Sequence, residues 1–445
     1  MKKTLYAFIF CLSGFVPAQA QQKDTVANFS LQEAINYAQQ HQVNVLNAQI
    51  DEQIAKNKVK QTTGIGLPQI NTNFTFQDFL KVPTSLIPGE IFGQPGQKIP
   101  VKFGVKYNSS LGLEASQLLF DGSYLVGLQA SKTYKELSEK NTRRNKIETA
   151  VAVTKAYYSV LVSNEQLSLL DANLTRLQKT LNDTKQLLKN GFVEKIDVDR
   201  LSVLNNNLLT ERENVLRLLA LNVNLLKFQM GMSIGSKLTL TDKISATDFE
   251  KTQLINDNTV YKKRIEYTLL QTQKKLNDLD VKRYKSLFLP SLAAFGSTSA
   301  SFQNDKFSTL YNQHFPTTVV GLRLSVPLVS GGQKLYQLRN AKLEAQKTQN
   351  NLTNLENGIN LEISAAQTSY LNGQQSLENQ KRNMELAKEV LRVTKVKYEQ
   401  GVGSSLEVTT AETALKESQN NYINALYDLL INKVNLDKAL GNIIY

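Results

Sequence analysis

The feature that most constrains this chain is an internal repeat, because the second half of the sequence resembles the first. Residues 113–122 align with residues 322–331 at an offset of 209, and residues 191–198 align with residues 401–408 at an offset of 210. Two nearly equal offsets over separate segments predict two copies of one structural unit. Each copy has the order helix, strand, loop, strand, long helix, tip and long helix.

Long segments without proline carry apolar residues at a helical spacing. No proline occurs between residues 101 and 289 or after residue 327, and proline interrupts helices. Apolar residues in these segments recur at steps of three and four, as in Leu167, Leu170, Leu174, Leu177 and Leu181. This period favours left-handed coiled-coil packing. A helix over residues 123–190 would be about 100 Å long, far longer than one globular domain needs.

Four shorter segments alternate at period two, which predicts strands. In residues 69–77 the even positions are Ile70, Thr72, Phe74 and Phe76, and the odd positions are polar. The alternation is clear in three of the segments and weak in the one near residue 295. Each has roughly the length of a tilted membrane strand, 9–11 residues or slightly more. The four predicted strands are residues 68–80, 103–120, 289–302 and 317–329.

The first 20 residues have the pattern of a secretory signal peptide. Lys2 and Lys3 precede an apolar run, and residues 18–20 form a small-x-small cleavage site. The only cysteine, Cys11, lies inside this segment, so an exported chain starting at Gln21 is expected to have neither disulfides nor thiolate ligands. Beyond it no stretch approaches 18 apolar residues, so we predict no transmembrane helix.

The predicted organisation has four parts. They are the signal peptide at residues 1–20, a first repeat at residues 21–230 with its tip near 191–196, a linker at residues 231–257, and a second repeat at residues 258–445 with its tip near 400–405.

Four amphipathic strands are too few to close a barrel, and open sheet edges are not tolerated in hydrocarbon. If the strands span a membrane, copies of the chain must supply the missing ones. Three copies give twelve strands, an even number within the known range. The predicted fold class is therefore mixed α and β. A long coiled-coil-like α-helical barrel joins a membrane β-barrel with four strands per protomer, twelve in the trimer.

The order and spacing of these features resemble the TolC/OprM family of outer-membrane efflux proteins. The resemblance rests on the two-fold repeat, the Leu-Pro pairs at Leu67 and Leu289, the Leu-Phe-Asp-Gly motif at residues 119–122 and the two tips. It implies a homotrimer in the lipid of the outer membrane of a Gram-negative bacterium, with its helices crossing the periplasm. It also implies that residues 232–257 and the chain ends form an equatorial domain. The implied partners are a periplasmic adaptor, or membrane fusion protein, and an inner-membrane RND or ABC transporter.

The two tips are the predicted docking surface for the adaptor. Gly191 and Gly401 each follow a long helix, where glycine readily takes the left-handed conformation that ends it. In the family that this chain resembles, these turns meet the adaptor. The docking candidates are Gly191, Phe192, Val193, Gly401, Val402, Gly403 and Ser404.

Acidic residues lie just past each tip. Asp197 and Glu407 can complement the dipole of a first helical turn, and Ser404 with Glu407 fits a capping box. Three copies of each acid would alternatively form a negative collar that favours cations, and both interpretations stay open.

The resemblance adds further residues to the predicted periplasmic entrance. Tyr398 matches the gate tyrosine of the family. Thr410 stands where a second acid would be, and Gly403 stands where TolC has an arginine, so the closed gate is expected to be held differently here. The entrance candidates are Asp197, Glu407, Thr410 and Tyr398.

A proline-rich loop lies between the first two predicted strands. Residues 81–100 hold four of the nine prolines and the apolar residues Leu86, Ile87, Ile91 and Phe92. We interpret this segment as a stiff extracellular loop. A lid over the exit or a contact with a surface partner is the alternative.

Other classes of function find little support in the sequence. The net charge of +13 is spread along polar helices without aromatic clusters, which favours solvated faces over nucleic-acid binding. No phosphate loop, nucleophile elbow or catalytic triad occurs, so we expect no enzyme, cofactor or metal. A periplasmic coiled-coil adaptor or scaffold is the alternative, but it would need one hairpin and no membrane strands. A diffusion porin would lack the long helices. Small-molecule efflux and protein secretion both remain open.

Overall fold

The computed structural model describes residues 27–93, 95–244 and 259–445. The predicted signal peptide and residues 245–257 of the predicted linker lie outside the described residues. No helix in the described ranges is both long and apolar enough to cross a membrane.

The first half of the described chain contains six strands and four helices. In chain order they are β1 (Ala27–Phe29), α1 (Leu31–His41), α2 (Val43–Ile65), β2 (Gln69–Asp78), β3 (Thr84–Pro88), β4 (Lys98–Lys102), β5 (Tyr107–Phe120), α3 (Gly122–Lys189), α4 (Lys195–Met230) and β6 (Leu238–Leu240). The second half follows with α5 (Ile265–Ser286), β7 (Ser291–Asn304), β8 (Phe315–Ser325), α6 (Gln333–Glu399) and α7 (Ser405–Leu440).

Two very long helices, α3 and α6, dominate the molecule, with 68 and 67 residues. Asp121 caps the start of α3, where its Oδ1 accepts a hydrogen bond from the Tyr124 backbone N–H at 2.7 Å. Helix α3 runs unbroken because no proline interrupts it, and Gly191 with φ +78° follows its last turn. Its bounds differ by one residue at each end from the predicted helix at 123–190.

Four helices lie side by side at each end of the helical layer. Next to the sheet the order is α2, α3, α5 and α6, and next to the tips it is α4, α3, α7 and α6. In the α3–α4 hairpin, the leucines whose spacing predicted a coiled-coil seam form one buried cluster with side chains of α4. The buried members are Leu170, Leu174, Leu177, Leu181, Val198, Leu201, Leu208 and Val215.

A second hydrophobic cluster lies where α1 meets the middle of α3. The parallel pair β1–β6 covers it, and Ala38, Val153, Leu226 and Met230 are among its buried members. The hydroxyl of buried Tyr157 lies 2.8 Å from Asp242 Oδ2 and 3.0 Å from the Phe29 carbonyl oxygen. Burial, reinforced by Asp242, raises the pKa of this phenol well above its usual range.

The main sheet is antiparallel, with strand order β2-β5-β7-β8. Its register places apolar side chains from different strands on one face, because Ile70 pairs with Ala115 and Phe74 pairs with Leu111. Side chains of β8 on this face are also exposed, and Val320 is 82% exposed. The single chain thus presents a broad apolar surface on one side of the sheet.

The strand bounds correct the predicted ones. The predicted strand at 103–120 begins only at Tyr107, because Gly104 has φ +114° and breaks the extended run. The predicted strand at 317–329 covers Phe315–Ser325 and stops before Pro327, which cannot donate to a ladder. The weakly alternating segment, predicted at 289–302, is Ser291–Asn304 and pairs on both sides. The first strand is Gln69–Asp78 instead of 68–80.

Helices α2, α3, α5 and α6 adjoin the sheet at one end, and two connections lie at the other end. The proline-rich segment predicted as a loop forms the antiparallel hairpin β3–β4. The second connection contains a 3-10 helix at Phe307–Asn312.

Candidate entrance and docking tips

The two helical tips share one backbone geometry. At the first tip the Phe192 N–H donates to the Leu187 carbonyl at 2.9 Å, and the Gly191 N–H donates to Leu188 at 3.0 Å. The second tip repeats this pair, with Val402 donating to Lys397 and Gly401 to Tyr398, each at 3.0 Å. This is the Schellman arrangement, in which a left-handed residue satisfies the last carbonyls of a helix.

The tips expose apolar side chains to solvent. Phe192 and Val402, at matching positions, are each 77% exposed. Ile196 and Leu406, one turn further, also match and are 49% and 55% exposed. Sequence reasoning missed this second pair, although its signal was an apolar residue beside an acid in a first turn. Each tip therefore carries two apolar side chains that this chain leaves uncovered.

Two of the predicted docking residues, Val193 and Gly403, are half-buried and pack within the tips. A Cβ added to Gly403 would lie 3.0 Å from the Tyr398 backbone N, so the absence of a side chain lets this turn pack on the end of α6. Val193 is also half-buried, whereas Ser404 is exposed and caps α7. Of the predicted docking residues, Gly191, Phe192, Gly401 and Val402 are exposed, as is Ser404.

Asp197 is held inside the protomer. Its Oδ2 accepts from the Glu194 backbone N–H at 3.2 Å, and its Oδ1 accepts from the Ser405 hydroxyl of the other tip. Arg200 lies 3.7 Å from the same carboxylate, whose side chain is 19% exposed. This geometry favours a helix cap and a link between the two tips over a charge that faces an open pore.

Glu407 is more exposed than Asp197. Its backbone N–H donates to the Ser404 hydroxyl at 3.2 Å, which is one arm of the predicted capping box. The reciprocal arm is not among the hydrogen bonds of this cap. Thr410 lies one turn further, is exposed, and donates its hydroxyl to the Leu406 carbonyl at 2.8 Å. Glu407 therefore suits a collar of acidic side chains better than Asp197 does.

Tyr398 contacts the other long helix. Its hydroxyl lies 3.4 Å from Oγ1 of Thr184 in α3, and Thr184 is fully buried. Thr184 also donates to the Thr180 carbonyl at 2.9 Å. Thr184 could not be predicted as a partner of Tyr398, because a threonine on a helix face is common.

An ion pair that the sequence did not reveal joins α3 to α7. Arg176 donates to both oxygens of Glu412, with distances of 3.1 Å and 2.9 Å. Glu412 is only 5% exposed, and the Asn173 amide donates to Gln419 at 2.6 Å beside it. A two-point Arg–carboxylate contact fixes both distance and orientation, so it sets the position of one helical hairpin against the other.

Two further ion pairs lie near this contact. Lys416 of α7 lies 2.5 Å from Glu211 of α4, and Arg212 of α4 lies 2.6 Å from Asp171 of α3. The hydrogen bond and charge of Asp171 raise the pKa of Arg212. Together with Arg176 and Glu412 these residues form a polar band across the two hairpins. In the described ranges, no group of three or more His, Cys, Asp or Glu side chains is placed to hold a metal ion.

The fold is that of known outer-membrane channels. It is similar to the crystal structure of CusC, with a TM-score of 0.78 at 18% identity over 93% of this chain and 92% of that chain. It is also similar to the outer membrane protein VceC of Vibrio cholerae, with a TM-score of 0.72 at 17% identity over 92% and 96% of the two chains.

The sequence comparison gives the family. A family model described as "Outer membrane efflux protein" matches residues 34–217 and 273–442. The chain therefore belongs to the outer membrane efflux protein family, and its place is the outer membrane.

Its relatives include both secretion and efflux proteins. The proteases secretion protein PrtF of Dickeya chrysanthemi is 24% identical over 76% of this chain and 73% of that protein. The toluene efflux pump outer membrane protein TtgC of Pseudomonas putida is 21% identical over 76% of this chain and 69% of that protein. Outer membrane protein TolC of Salmonella enteritidis is 22% identical over 76% and 70%. The resemblance to the TolC type that the sequence motifs indicated is confirmed.

Proposed function

We propose that the protein is a passive exit duct that carries substrates from an inner-membrane pump, through the periplasm and across the outer membrane. The observation that carries this proposal is the union in one chain of an apolar-faced sheet and two very long helical hairpins. A periplasmic adaptor would not need a sheet with an exposed apolar face, because it does not cross the outer membrane. Relatives named for protease secretion and for toluene efflux support both kinds of duct, so the cargo is set by the partner pump.

The sheet supports closure by copies of the same chain. Within the described residues, neither β2 nor β8 pairs with another strand along its outer edge. Unpaired edges are strongly unfavourable in hydrocarbon, where no water satisfies the backbone. Three copies in a ring would join β8 of one protomer to β2 of the next, giving a twelve-stranded barrel with its apolar face toward lipid.

The helical layer also has two open sides. Helix α6 exposes an apolar stripe that includes Leu386 (65% exposed) and Val390 (56%), and α4 exposes Leu221 (63%) and Phe228 (66%). These helices lie at opposite sides of the layer. In the proposed trimer, α6 of one protomer packs against α4 of its neighbour, so that the helices form a closed periplasmic tube.

The order of elements supports the two-fold repeat. Helix α2, strands β2 and β5, and the hairpin α3–α4 are followed by α5, β7 and β8, and the hairpin α6–α7 in the same order. The short partner helices α4 and α7 each have 36 residues. We propose that residues 21–230 and 258–445 are the two copies, joined through an equatorial segment at 231–257.

The tips and the acidic residues complete the proposal. The exposed apolar side chains at the tips suit docking on a periplasmic adaptor that links the duct to an RND or ABC transporter. Glu407 from three protomers forms the acidic collar at the entrance, while Asp197 caps α4 and links the tips. Tyr398 holds α6 against α3 near this entrance.

Reconstitution of the full chain into planar lipid bilayers tests the proposed duct. We expect discrete, long-lived conductance steps without any added nucleotide, because diffusion of ions through a passive duct requires no energy source. A correctly assembled preparation that never conducts, even after Tyr398→Phe removes the hydroxyl contact with Thr184 at the entrance, would contradict a path through the molecule.

A further inference from the structure

The hairpin β3–β4 lies at the end of the sheet farthest from the helices. It connects β2, which ends at Asp78, to β5, which begins at Tyr107. Its two strands pair with each other and form a separate sheet. In the proposed duct the helices are periplasmic, so this hairpin lies at the outer surface of the membrane.

One face of the hairpin combines exposed apolar and basic side chains. Pairing of Leu86 with Pro100, Pro88 with Lys98 and Thr84 with Lys102 puts all six residues on the same face. All six are exposed, and Leu86 is 64% exposed. The opposite face contains Ile87, Ile99 and Val101, which are half-buried. Lys98, Lys102 and Leu86 therefore lie on the same side of the hairpin.

The turn of the hairpin adds apolar surface, and the flanks add charge. Ile91 and Phe92, in the 3-10 helix Gly89–Phe92, are 73% and 56% exposed. Residues 81–106 contain four lysines and a single acidic residue, Glu90. Apolar side chains next to lysines are typical of segments that lie in a membrane interface, since the apolar part enters the headgroup region and the ammonium groups meet phosphates.

An aromatic cluster marks where the hairpin leaves the sheet. The rings of Phe76, Tyr107 and Phe307 lie 5.7–6.3 Å apart between centroids. Lys106 Nζ lies 4.9 Å from the centre of the Tyr107 ring. Aromatic residues collect at the boundary between the hydrocarbon and the headgroups. A hairpin that starts at this level can reach the headgroups without first crossing water.

We propose that the exposed face of β3–β4 docks on anionic, phosphate-bearing lipid headgroups of the outer leaflet. Lys98 and Lys102 contact the phosphates, and Leu86 and Phe92 enter the interface between them. This inference rests on the proposed membrane duct, because the hairpin meets headgroups only if the sheet crosses the bilayer. A lysine near an anionic membrane strengthens binding by about fivefold, so loss of both lysines weakens docking by about 25-fold.

The chain contains no tryptophan, so a single introduced tryptophan reports its own surroundings. The full-length Phe92→Trp variant is reconstituted into vesicles of phosphatidylcholine, with or without phosphatidylglycerol. Brominated acyl chains are carried by the phosphatidylglycerol in one series and by the phosphatidylcholine in a second series. We expect its emission to shift to the blue and to be quenched when the brominated phosphatidylglycerol is present. Adding K98Q and K102Q should remove most of this quenching, and so should raised salt, which screens exposed charges.

The Phe307→Trp variant is the matched control for the sheet. Its side chain belongs to the aromatic cluster at the membrane boundary, so brominated lipid of either headgroup should quench it, with or without the lysines. If it is not quenched, the proposed membrane span fails. If it is quenched while Phe92→Trp stays exposed, or if Phe92→Trp is equally shielded in neutral lipid and insensitive to the two lysines, headgroup docking is wrong.

Discussion

At the scale of single residues, Glu412 is a charge that lies almost fully buried between the two helical hairpins. Burial removes water from the carboxylate, and the two-point contact with Arg176 offsets that cost. Side chains of this kind hold two surfaces at one fixed position. This contact thereby fixes the position of the hairpin α3–α4 relative to the hairpin α6–α7.

Replacing Glu412 with alanine leaves Arg176, whose side chain is 29% exposed, without its carboxylate partner. The change should destabilise the fold by about 2 kcal/mol, because charge-assisted hydrogen bonds are lost while the guanidinium stays partly hydrated. A double variant with R176M and E412L should recover most of that loss. Thermal unfolding of the purified protein measures both. The exposed pair Arg392–Glu389, at 63% and 58% exposure, supplies the control, and E389A should leave the midpoint unchanged. Equal midpoints for E412A and E389A would contradict the structural role of the buried pair.

Asp437 predicts a pH dependence of stability. Burial raises the pKa of its carboxyl, although Lys433 opposes the shift. A carboxyl with a raised folded pKa binds its proton more tightly in the folded state. The stabilisation is therefore complete below the unfolded pKa and is lost as pH rises through the folded pKa. We expect D437N to unfold at a higher temperature than the parent at pH 7 and at the same temperature once the pH falls below both values. A difference that is constant with pH would disprove this assignment.

At the scale of elements, the tips and the acidic first turns have separable roles. The exposed pair Phe192 and Val402 forms a surface with no internal partner, whereas Asp197 is engaged inside the protomer and Glu407 is exposed. Substitutions at the tips should therefore affect docking on the adaptor, and substitutions at Glu407 should affect ion selectivity.

Introducing charge at both tips should abolish export. The variant with F192D and V402D places a hydrated carboxylate where an apolar contact with an adaptor is proposed, and its outer-membrane level should stay normal because neither side chain is buried. Export of a reporter substrate and immunoblots of the membrane fraction give the two readouts. The conservative F192L variant keeps an apolar side chain and should export normally. Normal export by the charged variant would mean that the tips are not the docking surface.

Glu407→Ala should weaken cation preference at the entrance, because it removes the three acidic side chains of the proposed collar. The reversal potential of single channels under a salt gradient measures the preference. Asp197→Ala is the matched variant, and we expect a smaller change in selectivity, since its carboxylate is held by Ser405 and Arg200. An unchanged reversal potential in Glu407→Ala would leave that residue as a helix cap only.

The sequence predicted what local patterns determine. The long helices follow from the absence of proline and from leucines such as Leu170 and Leu177, and the main strands follow from period-two alternation. The hairpin β3–β4 was not predicted, because a proline-rich segment is typical of loops. The ion pair Arg176–Glu412 could not be predicted from the sequence either. Its two residues are 236 positions apart, and the packing of α3 on α7 brings them together.

At the scale of the whole molecule, the described part of the chain leaves three surfaces uncovered. They are the outer edges of the sheet, the outer sides of α4 and α6, and the helical tips. A closed ring of copies would cover the first two and leave only the tips for another protein. The trimer is therefore the central claim, because the barrel, the periplasmic tube and the acidic collar all depend on it.

The most direct test is the mass of the assembly extracted from the outer-membrane fraction, measured by light scattering with the detergent contribution subtracted. The proposed structure predicts three times the mass of one exported chain. A monomer recovered from a soluble fraction would contradict the membrane strands and would favour a coiled-coil scaffold instead.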